Sequence, residues 1–199
     1  MGLANSYEHV WGCRTANGWD INHDPDVNGQ MKDGRGNICP VTIIMPTLAM
    51  EALEKSKIYA EKDGKELVSF DVDPVETFMN LLDQKIHEAK DMLIERFEYI
   101  CSQSPESAKF MYENGTMLGY KPEEGIRSAL KHGTLALGQI ALAETLQILI
   151  GKDHTTPEGM ELAKRIEGLF KQRCAEFKEE YKLNFGVYYT PKLFGLGVA

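Results

Sequence analysis

The stretch CPVTIIMPTLAM, residues 39–50, carries the clearest secondary-structure signal in the chain. β-Branched residues gather between Pro40 and Pro46, and a short apolar run bounded by prolines predicts a buried strand over 39–46. Apolar residues at helical spacing follow, so a helix is predicted over 47–64, with Gly64 as its stop. A strand followed at once by a helix is typical of an α/β fold.

Downstream of this pair, the sequence predicts a long amphipathic helix over 74–100. Asp73 suits the N-cap position, and Pro74 and Glu76 supply the early proline and the early acidic residue of a helix start. Apolar residues then recur on one side of the helix, while the other side is charged. The helix is therefore expected to bury one face.

Two more helices and a second strand are predicted in the C-terminal part. The apolar stretch between Gly133 and Gly151 predicts a helix over 134–150, with Gly151 as its C-terminal cap. A helix over 157–181 follows, and a β-branched and aromatic run predicts a strand over 184–191. The long helical intervals favour a parallel sheet with crossover connections.

Only these two strands are convincing, and a two-stranded parallel sheet is not a self-sufficient core. Either another chain completes the sheet, or the sequence is a piece of a larger fold.

Residues 1–38 are rich in glycine and show little periodicity, so they are predicted to form a long loop. Trp11 and Trp19 favour a packed loop over a disordered one. A second irregular segment is predicted over 102–125.

Composition excludes some classes of function. The formal net charge is −8 and the pI is about 5.2, which disfavours binding to a nucleic-acid backbone. The N-terminal sequence has no secretion signal, and polar residues interrupt the most apolar stretch, so we expect a cytoplasmic protein without a membrane segment.

The cysteines are scattered along the chain. They are Cys13, Cys39, Cys101 and Cys174, with no CxxC pair and no histidine at zinc-ligand spacing, so no metal site is predicted. A disulfide between Cys13 and Cys39 remains a weak hypothesis, because the two residues could meet if the N-terminal loop folds back. Taken alone, each cysteine would pass for a small apolar core residue.

Four ordered stretches together resemble a known family. They are GCRT at 12–15, GRGN at 34–37 with PTLA at 46–49, KHGTLALGQIALAE at 131–144, and YKLNFGVYYTP at 181–191. This pattern resembles the catalytic subunit of the anaerobic, glycyl-radical ribonucleotide reductases, which reduce ribonucleoside triphosphates. The resemblance implies a single partial domain over 1–199, a helix-rich portion of a ten-stranded α/β barrel. Residues 1–38 would form its finger loop, and residues 39–199 would belong to the second half-barrel.

The resemblance implies a catalytic role for Cys13. In that family the cysteine of Gly-Cys-Arg lies at the tip of a loop inside the barrel, where it becomes a thiyl radical that abstracts the 3′ hydrogen of the substrate. An S–H bond is weak enough to exchange hydrogen with a glycyl radical, and a buried site protects the radical from solvent.

Substrate contacts are also implied by the resemblance. Asn37 matches a family asparagine near the substrate ribose, where an amide can both donate and accept hydrogen bonds. Gly133 and Thr134 match the start of a family helix, whose exposed amides would help to bind phosphate. Thr190 and Pro191 match the beginning of a loop near the substrate.

The sequence also departs from the family pattern. Lys192 and Leu193 stand where the family has Ala and a functional Glu, and Trp11 stands where many members have Met. The resemblance places the ATP-cone domain, the first barrel half, the four-cysteine zinc site and the radical-storing glycine outside this sequence. No cofactor is therefore expected on the chain itself. The glycyl radical would be installed by an activating enzyme that uses S-adenosylmethionine and an iron–sulfur cluster.

Three functional hypotheses remain at this point. The first is a fragment or split portion of an anaerobic ribonucleoside-triphosphate reductase that does not turn over alone and needs the missing barrel half and glycyl-radical segment on another chain. A homo-oligomer is a separate possibility. The second is a non-catalytic interaction protein that associates through exposed barrel edges. The third, a small thiol-redox protein, is disfavoured because no cysteine has a resolving partner nearby in sequence.

Overall fold

The computed structural model describes residues 9–11, 15–24, 26, 35–62, 65–117 and 119–189. The strands are β1 His9–Trp11, β2 Thr15–Asn17, β3 Val41–Ile44, β4 Lys57–Lys62, β5 Lys65–Phe70, β6 Thr134–Ile140 and β7 Asn184–Tyr189. The helices are α1 Met45–Ser56, α2 Pro74–Cys101, α3 Lys109–Glu113, α4 Arg127–Leu130, α5 Leu142–Ile150 and α6 Pro157–Tyr181. The fold is thus a helix-rich α/β arrangement, as the sequence predicts.

The main sheet has three strands in the order β3-β6-β7. Both strands predicted from sequence, over 39–46 and 184–191, are confirmed as β3 and β7, although helix α1 already begins at Met45. The central strand β6 is buried along almost its whole length, with only Ile140 half-buried. The three-stranded sheet is therefore built around a strand that the sequence did not reveal.

The single helix predicted over 134–150 is wrong. This stretch forms β6 as far as Ile140, turns at Ala141, whose φ is 64°, and then forms α5. A run that is apolar on every side carries neither a period of two nor one of 3.6, so periodicity cannot separate a buried strand from a buried helix. The predicted cap is confirmed, because Gly151 has a φ of 67° and donates its N–H to Gln147 O at 3.0 Å.

The helix predicted over 47–64 is wrong beyond Ser56. From Lys57 onward the chain forms β4, which pairs antiparallel with β5 so that Lys57 faces Phe70 and Lys62 faces Lys65. The sequence signal is the dipeptide Asp63-Gly64, which is typical of a two-residue hairpin connection. That signal outweighs the helical spacing of the residues before it.

The two long helices are confirmed close to their predicted bounds. The side chain of Asp73 caps α2, because its Oδ1 accepts a hydrogen bond from the N–H of Val75 at 2.9 Å. The apolar face of α2 is buried, as predicted, through Phe78, Leu82, Ile86, Ala89, Leu93 and Phe97. Among the described residues, the helices are too short or too polar to cross a bilayer.

The chain forms two compact units. The first contains residues 1–42, 89–138 and 171–190, and the second contains residues 43–88, 139–170 and 191–199. Helices α2 and α6 each contribute residues to both units. In the second unit α1 packs against α5. The assignment of 1–199 to one partial domain stays a prediction.

Part of the predicted long loop over 1–38 is regular. Strands β1 and β2 pair antiparallel, with His9 opposite Asn17 and Trp11 opposite Thr15. The prediction of irregular structure is therefore wrong for these six residues. Residues 12–14, which include Cys13, lie outside the described part of the chain.

The segment 102–125 consists mainly of turns, as predicted, but holds a 3₁₀ turn over Pro105–Ala108 and the short helix α3.

Candidate functional site

A cavity of about 510 Å³ lies in the first unit, beside the start of strand β6. Its walls are mostly apolar and come from the segment before β3, the end of α2, the α3 region and the end of α4. The lining residues are Arg35, Gly36, Asn37, Ile38, Ile100, Met111, Tyr112, Thr116, Met117, Ala129, Leu130 and Gly133. Two of the predicted substrate contacts, Asn37 and Gly133, are thus part of one cavity wall. A mostly apolar pocket with a few polar groups is the usual form of a small-molecule site.

Asn37 and Thr134 form a parallel β-bridge, which brings a third predicted contact to the same place. The N–H of Ile38 donates to Thr134 O at 3.0 Å, and the N–H of Thr134 donates to Gly36 O at 2.8 Å. Asn37 is exposed, whereas Thr134 is buried.

This geometry corrects the phosphate-binding mechanism expected at Thr134. The residue begins a strand and not a helix, and its amide is already bonded to Gly36 O. Helix-start amides therefore cannot bind phosphate here. A role of Thr134 in substrate binding stays a prediction that rests on its position.

Gly133 allows the two segments to approach each other. A Cβ on Gly133 would lie 2.9 Å from the carbonyl oxygen of Gly36 and 2.4 Å from Cδ1 of Ile38. The carbonyl belongs to the backbone and cannot turn away, so any side chain at this position forces the segments apart. The Asn37–Thr134 bridge thus depends on a glycine beside it.

A cluster of buried polar side chains lies next to the bridge. We call it the polar cluster, and its members are Asp20, Arg35, His132 and Asn184. Asp20 is fully buried; its Oδ2 lies 2.7 Å from Nδ1 of His132, and its Oδ1 accepts from Nδ2 of Asn184 at 2.8 Å. The Oδ1 atom also accepts from the N–H of Asn22 at 2.9 Å.

These contacts determine the charge on Asp20. Burial acts to raise the pKa of its carboxyl, but the hydrogen bonds from His132, Asn184 and the Asn22 amide outweigh burial and hold the pKa below its ordinary value. Asp20 is therefore a carboxylate at neutral pH. Because a carboxylate only accepts, Nδ1 of His132 carries the proton of their shared hydrogen bond.

Arg35 connects the cluster to the backbone. Its Nε donates to His132 O at 2.6 Å, and its Nη1 donates to Gly18 O at 3.0 Å. Burial lowers the pKa of the guanidinium, and the negative charge of Asp20 opposes this. Its Nη2 is buried and finds no hydrogen-bond partner among the residues that the structure describes.

This cluster is not apparent from the sequence. His132 belongs to one of the family-like stretches, but Asp20 and Asn184 stand in runs with no distinguishing pattern. Arg35 is part of the GRGN stretch, and only its asparagine was singled out. No local signal identifies the role of Asp20, because its side-chain partners His132 and Asn184 lie more than a hundred residues away in sequence.

Three predicted site residues cannot be compared with the structure. Cys13, Thr190 and Pro191 all lie outside the described part of the chain. The other three cysteines are free thiols among the described residues, and the hypothesis that Cys39 pairs with Cys13 stays a prediction because Cys13 lies outside them. Burial raises the pKa of all three, to about 11 for Cys101 and about 12 for Cys174. Among the described residues there is no group of three side chains able to hold a metal ion.

The sequence matches known proteins over almost its whole length. Residues 3–192 match the family model of the anaerobic ribonucleoside-triphosphate reductase. Two relatives bear that name, from Escherichia coli K12 and Salmonella typhimurium LT2. Each is 26% identical over 196 residues, and the match covers 95% of this chain and 24% of the relative. The chain thus spans about a quarter of the length of these relatives.

Solved structures share the fold. The anaerobic ribonucleotide reductase from Thermotoga maritima with glycerol in its active site gives a TM-score of 0.56 at 18% identity. The match covers 80% of this chain and 22% of that one. The same enzyme in complex with dATP and CTP also gives a TM-score of 0.56. The fold therefore corresponds to a portion of these enzymes, and the family match establishes descent. The chain belongs to the anaerobic ribonucleoside-triphosphate reductase family.

Proposed function

We propose that the chain is the substrate-contacting portion of an anaerobic ribonucleoside-triphosphate reductase. It reduces ribonucleotides to deoxyribonucleotides only together with the rest of the barrel and the glycyl-radical segment. The observation that carries the proposal is the Asn37–Thr134 bridge at a cavity. Two family-like stretches far apart in sequence meet there, and both supply residues matched to the family's substrate site.

The proposed roles follow from the chemistry of each side chain. Asn37 donates to and accepts from ribose hydroxyls, because an amide carries both a donor and an acceptor. Gly133 and Thr134 form the neighbouring wall of the site. Thr190 and Pro191, which follow β7 in the sequence, supply further substrate contacts. Cys13 is the hydrogen-abstracting residue: its sulfur gives up a hydrogen atom to the glycyl radical and then takes the 3′ hydrogen atom from the ribose.

Other participants belong to the same proposal. The substrate is a ribonucleoside triphosphate, the radical is installed by a separate activating enzyme, and the protein acts in the cytoplasm. Glycyl radical and zinc belong to the part of the enzyme that lies outside this chain.

The test begins with assembly. The chain is purified alone and after co-expression with the glycyl-radical subunit of the same genome, and light scattering coupled to size exclusion gives the masses. We expect a stable mixed complex. A non-catalytic interaction protein would also form complexes, so the decisive step is ribonucleotide reduction by the activated complex under anaerobic conditions.

Two substitutions connect the activity to the proposed residues. Cys13→Ser should abolish reduction, whereas Cys101→Ser is the matched control and should retain it. Asn37→Ala should lower kcat/KM about tenfold, which corresponds to the loss of one to two hydrogen bonds. Activity that survives Cys13→Ser would contradict the proposed role of the thiol. An assembled complex without any reduction would favour the interaction protein.

A further inference from the structure

The polar cluster connects three chain segments around the proposed substrate contacts. Asn184 at the start of β7 accepts from the N–H of Ile21 with its Oδ1, at 2.9 Å. Its Nδ2 reaches the carbonyl oxygens of Lys131 and His132, each at 3.3 Å, in addition to Asp20. One side chain thus joins the segment 20–22, the segment 131–132 and strand β7.

The same cluster holds both strands of the bridge. The carbonyl of His132 accepts from Nε of Arg35 at 2.6 Å, and Arg35 stands two residues before Asn37. His132 itself stands two residues before Thr134, with Gly133 between them. Each bridging residue therefore stands two positions after a residue that the cluster fixes, and the hydrogen bond to Asp20 fixes the ring of His132 in turn.

Such a cluster is a costly way to stabilise a fold. A buried carboxylate and a buried guanidinium both lose hydration, and well-packed apolar residues of the same volume would often be at least as stable. What buried hydrogen bonds do provide is direction, since each bond is satisfied in only one arrangement of the segments.

We propose that Asp20, His132, Asn184 and Arg35 are positioning residues that set the geometry of Asn37 and Thr134 for substrate. This inference rests on the proposed function, because it assumes that Asn37 and Thr134 face the nucleotide. The central residue is His132. Asp20 binds its ring, and Arg35 donates to its backbone carbonyl. None of the four residues needs to touch the substrate.

The test uses two substitutions at one position. In His132→Asn, the amide nitrogen occupies nearly the place of Nδ1 and can still donate to Asp20. In His132→Gln, the amide lies farther out and misses that place. His154→Gln, at an exposed histidine, is the matched control.

The readout is hydrogen exchange of the amides of Ile38 and Thr134, which form the two bonds of the bridge, measured by NMR on the full chain. We expect His132→Gln to accelerate exchange at both amides about tenfold or more, without a change in the amides of α2. His132→Asn should restore slow exchange. Parallel acceleration at all amides would show a merely stabilising role and would overturn the proposal, as would equal behaviour of the two variants.

A second variant covers the case in which His132→Gln does not fold. Asp20→Asn keeps the shape of the side chain but turns a donor nitrogen towards His132. It should accelerate exchange at these two amides by a larger factor than at the amides of α2, which report the loss of global stability. Equal acceleration at all amides, or an unchanged exchange rate at these two, would overturn the proposal.

Titration with CTP separates this inference from the proposed function. If wild-type chain does not bind CTP, the proposed function fails for the isolated chain, while the exchange data still decide whether the cluster fixes the bridge. If wild type binds, we expect His132→Gln to bind about tenfold more weakly and His132→Asn to bind almost normally. Equal affinity of His132→Gln and wild type would overturn the positioning role.

Discussion

Asn37 and Thr134 pair in a parallel bridge whose two hydrogen bonds, of 3.0 and 2.8 Å, leave space beside Thr134 for a glycine alone. A methyl group on Gly133 would meet the backbone oxygen of Gly36 at 2.9 Å and the side chain of Ile38 at 2.4 Å.

Gly133→Ala should lower the free energy of unfolding by about 1–3 kcal/mol, because the methyl group overpacks a site that cannot relax without breaking the bridge. Denaturant unfolding measures this. The control is Gly168→Ala in the exposed part of α6, where a Cβ meets nothing within 4 Å among the described residues. That change should be neutral or stabilise by up to about 1 kcal/mol. Equal effects at the two sites would contradict the close approach.

Gly138→Ala tests the packing of β6 against β7. A Cβ at Gly138 would lie 2.4 Å from the ring of Tyr188, whose hydroxyl is hydrogen-bonded to Thr42. We expect a loss of about 1–3 kcal/mol in the wild-type background. In a Tyr188→Ala background the same change should cost at least about 1 kcal/mol less, because the clashing ring is gone. A double-mutant cycle that gives simple additivity would exclude this contact.

The stability of the protein should fall in acid through Asp20. The pKa of this carboxyl is lower in the folded chain than in the unfolded one, so its contribution is present above the unfolded value of about 3.9. It is lost as the pH falls through the folded value. Asp20→Asn should cost about 3 kcal/mol at neutral pH and should flatten the decline below about pH 4.

Urea unfolding at a series of pH values measures this dependence. Asp71→Asn, at an exposed aspartate, is the matched control and should follow the wild-type curve. A wild-type stability that is constant between neutral pH and pH 2 would rule out a stabilising Asp20 carboxylate.

The thiols of Cys39, Cys101 and Cys174 should react slowly with iodoacetamide at pH 8. Burial raises the pKa of each, so the reactive thiolate is scarce in the folded chain. Unfolding in guanidinium should make all three react quickly, and this serves as the control. Mass spectrometry of the modified peptides gives each rate separately. Rapid native modification of Cys174 would contradict its burial.

Local signals explain what could be predicted about the fold. Asp73 and Gly151 act within a few residues of their own helix, so their caps are visible in the sequence. The central strand β6 was missed because its strand character comes from neighbours on both sides, which are distant in sequence. Strand β4 was missed although the dipeptide Asp63-Gly64 signals it.

The residues of the candidate site likewise fall into those that a local sequence pattern indicates and those that it does not. Asn37 and Gly133 were identified because they stand inside short family-like stretches, and the structure brings both to one cavity. Asp20 and Asn184 became recognisable as part of the site only through the hydrogen bond between them. Neither residue stands in a recognisable motif, so the sequence around each one does not indicate a partner that comes close only in the folded chain.

The bond between Asp20 and Asn184 also has a consequence for the order of events during synthesis. Its two residues are separated by 164 positions, so the carboxylate leaves the ribosome long before its amide partner exists. Until Asn184 has emerged, the Asp20 carboxylate lacks this hydrogen bond. Contacts of such long sequence separation form late and slow down folding. The nascent chain therefore completes the polar cluster beside Asn37 only when strand β7 is in place.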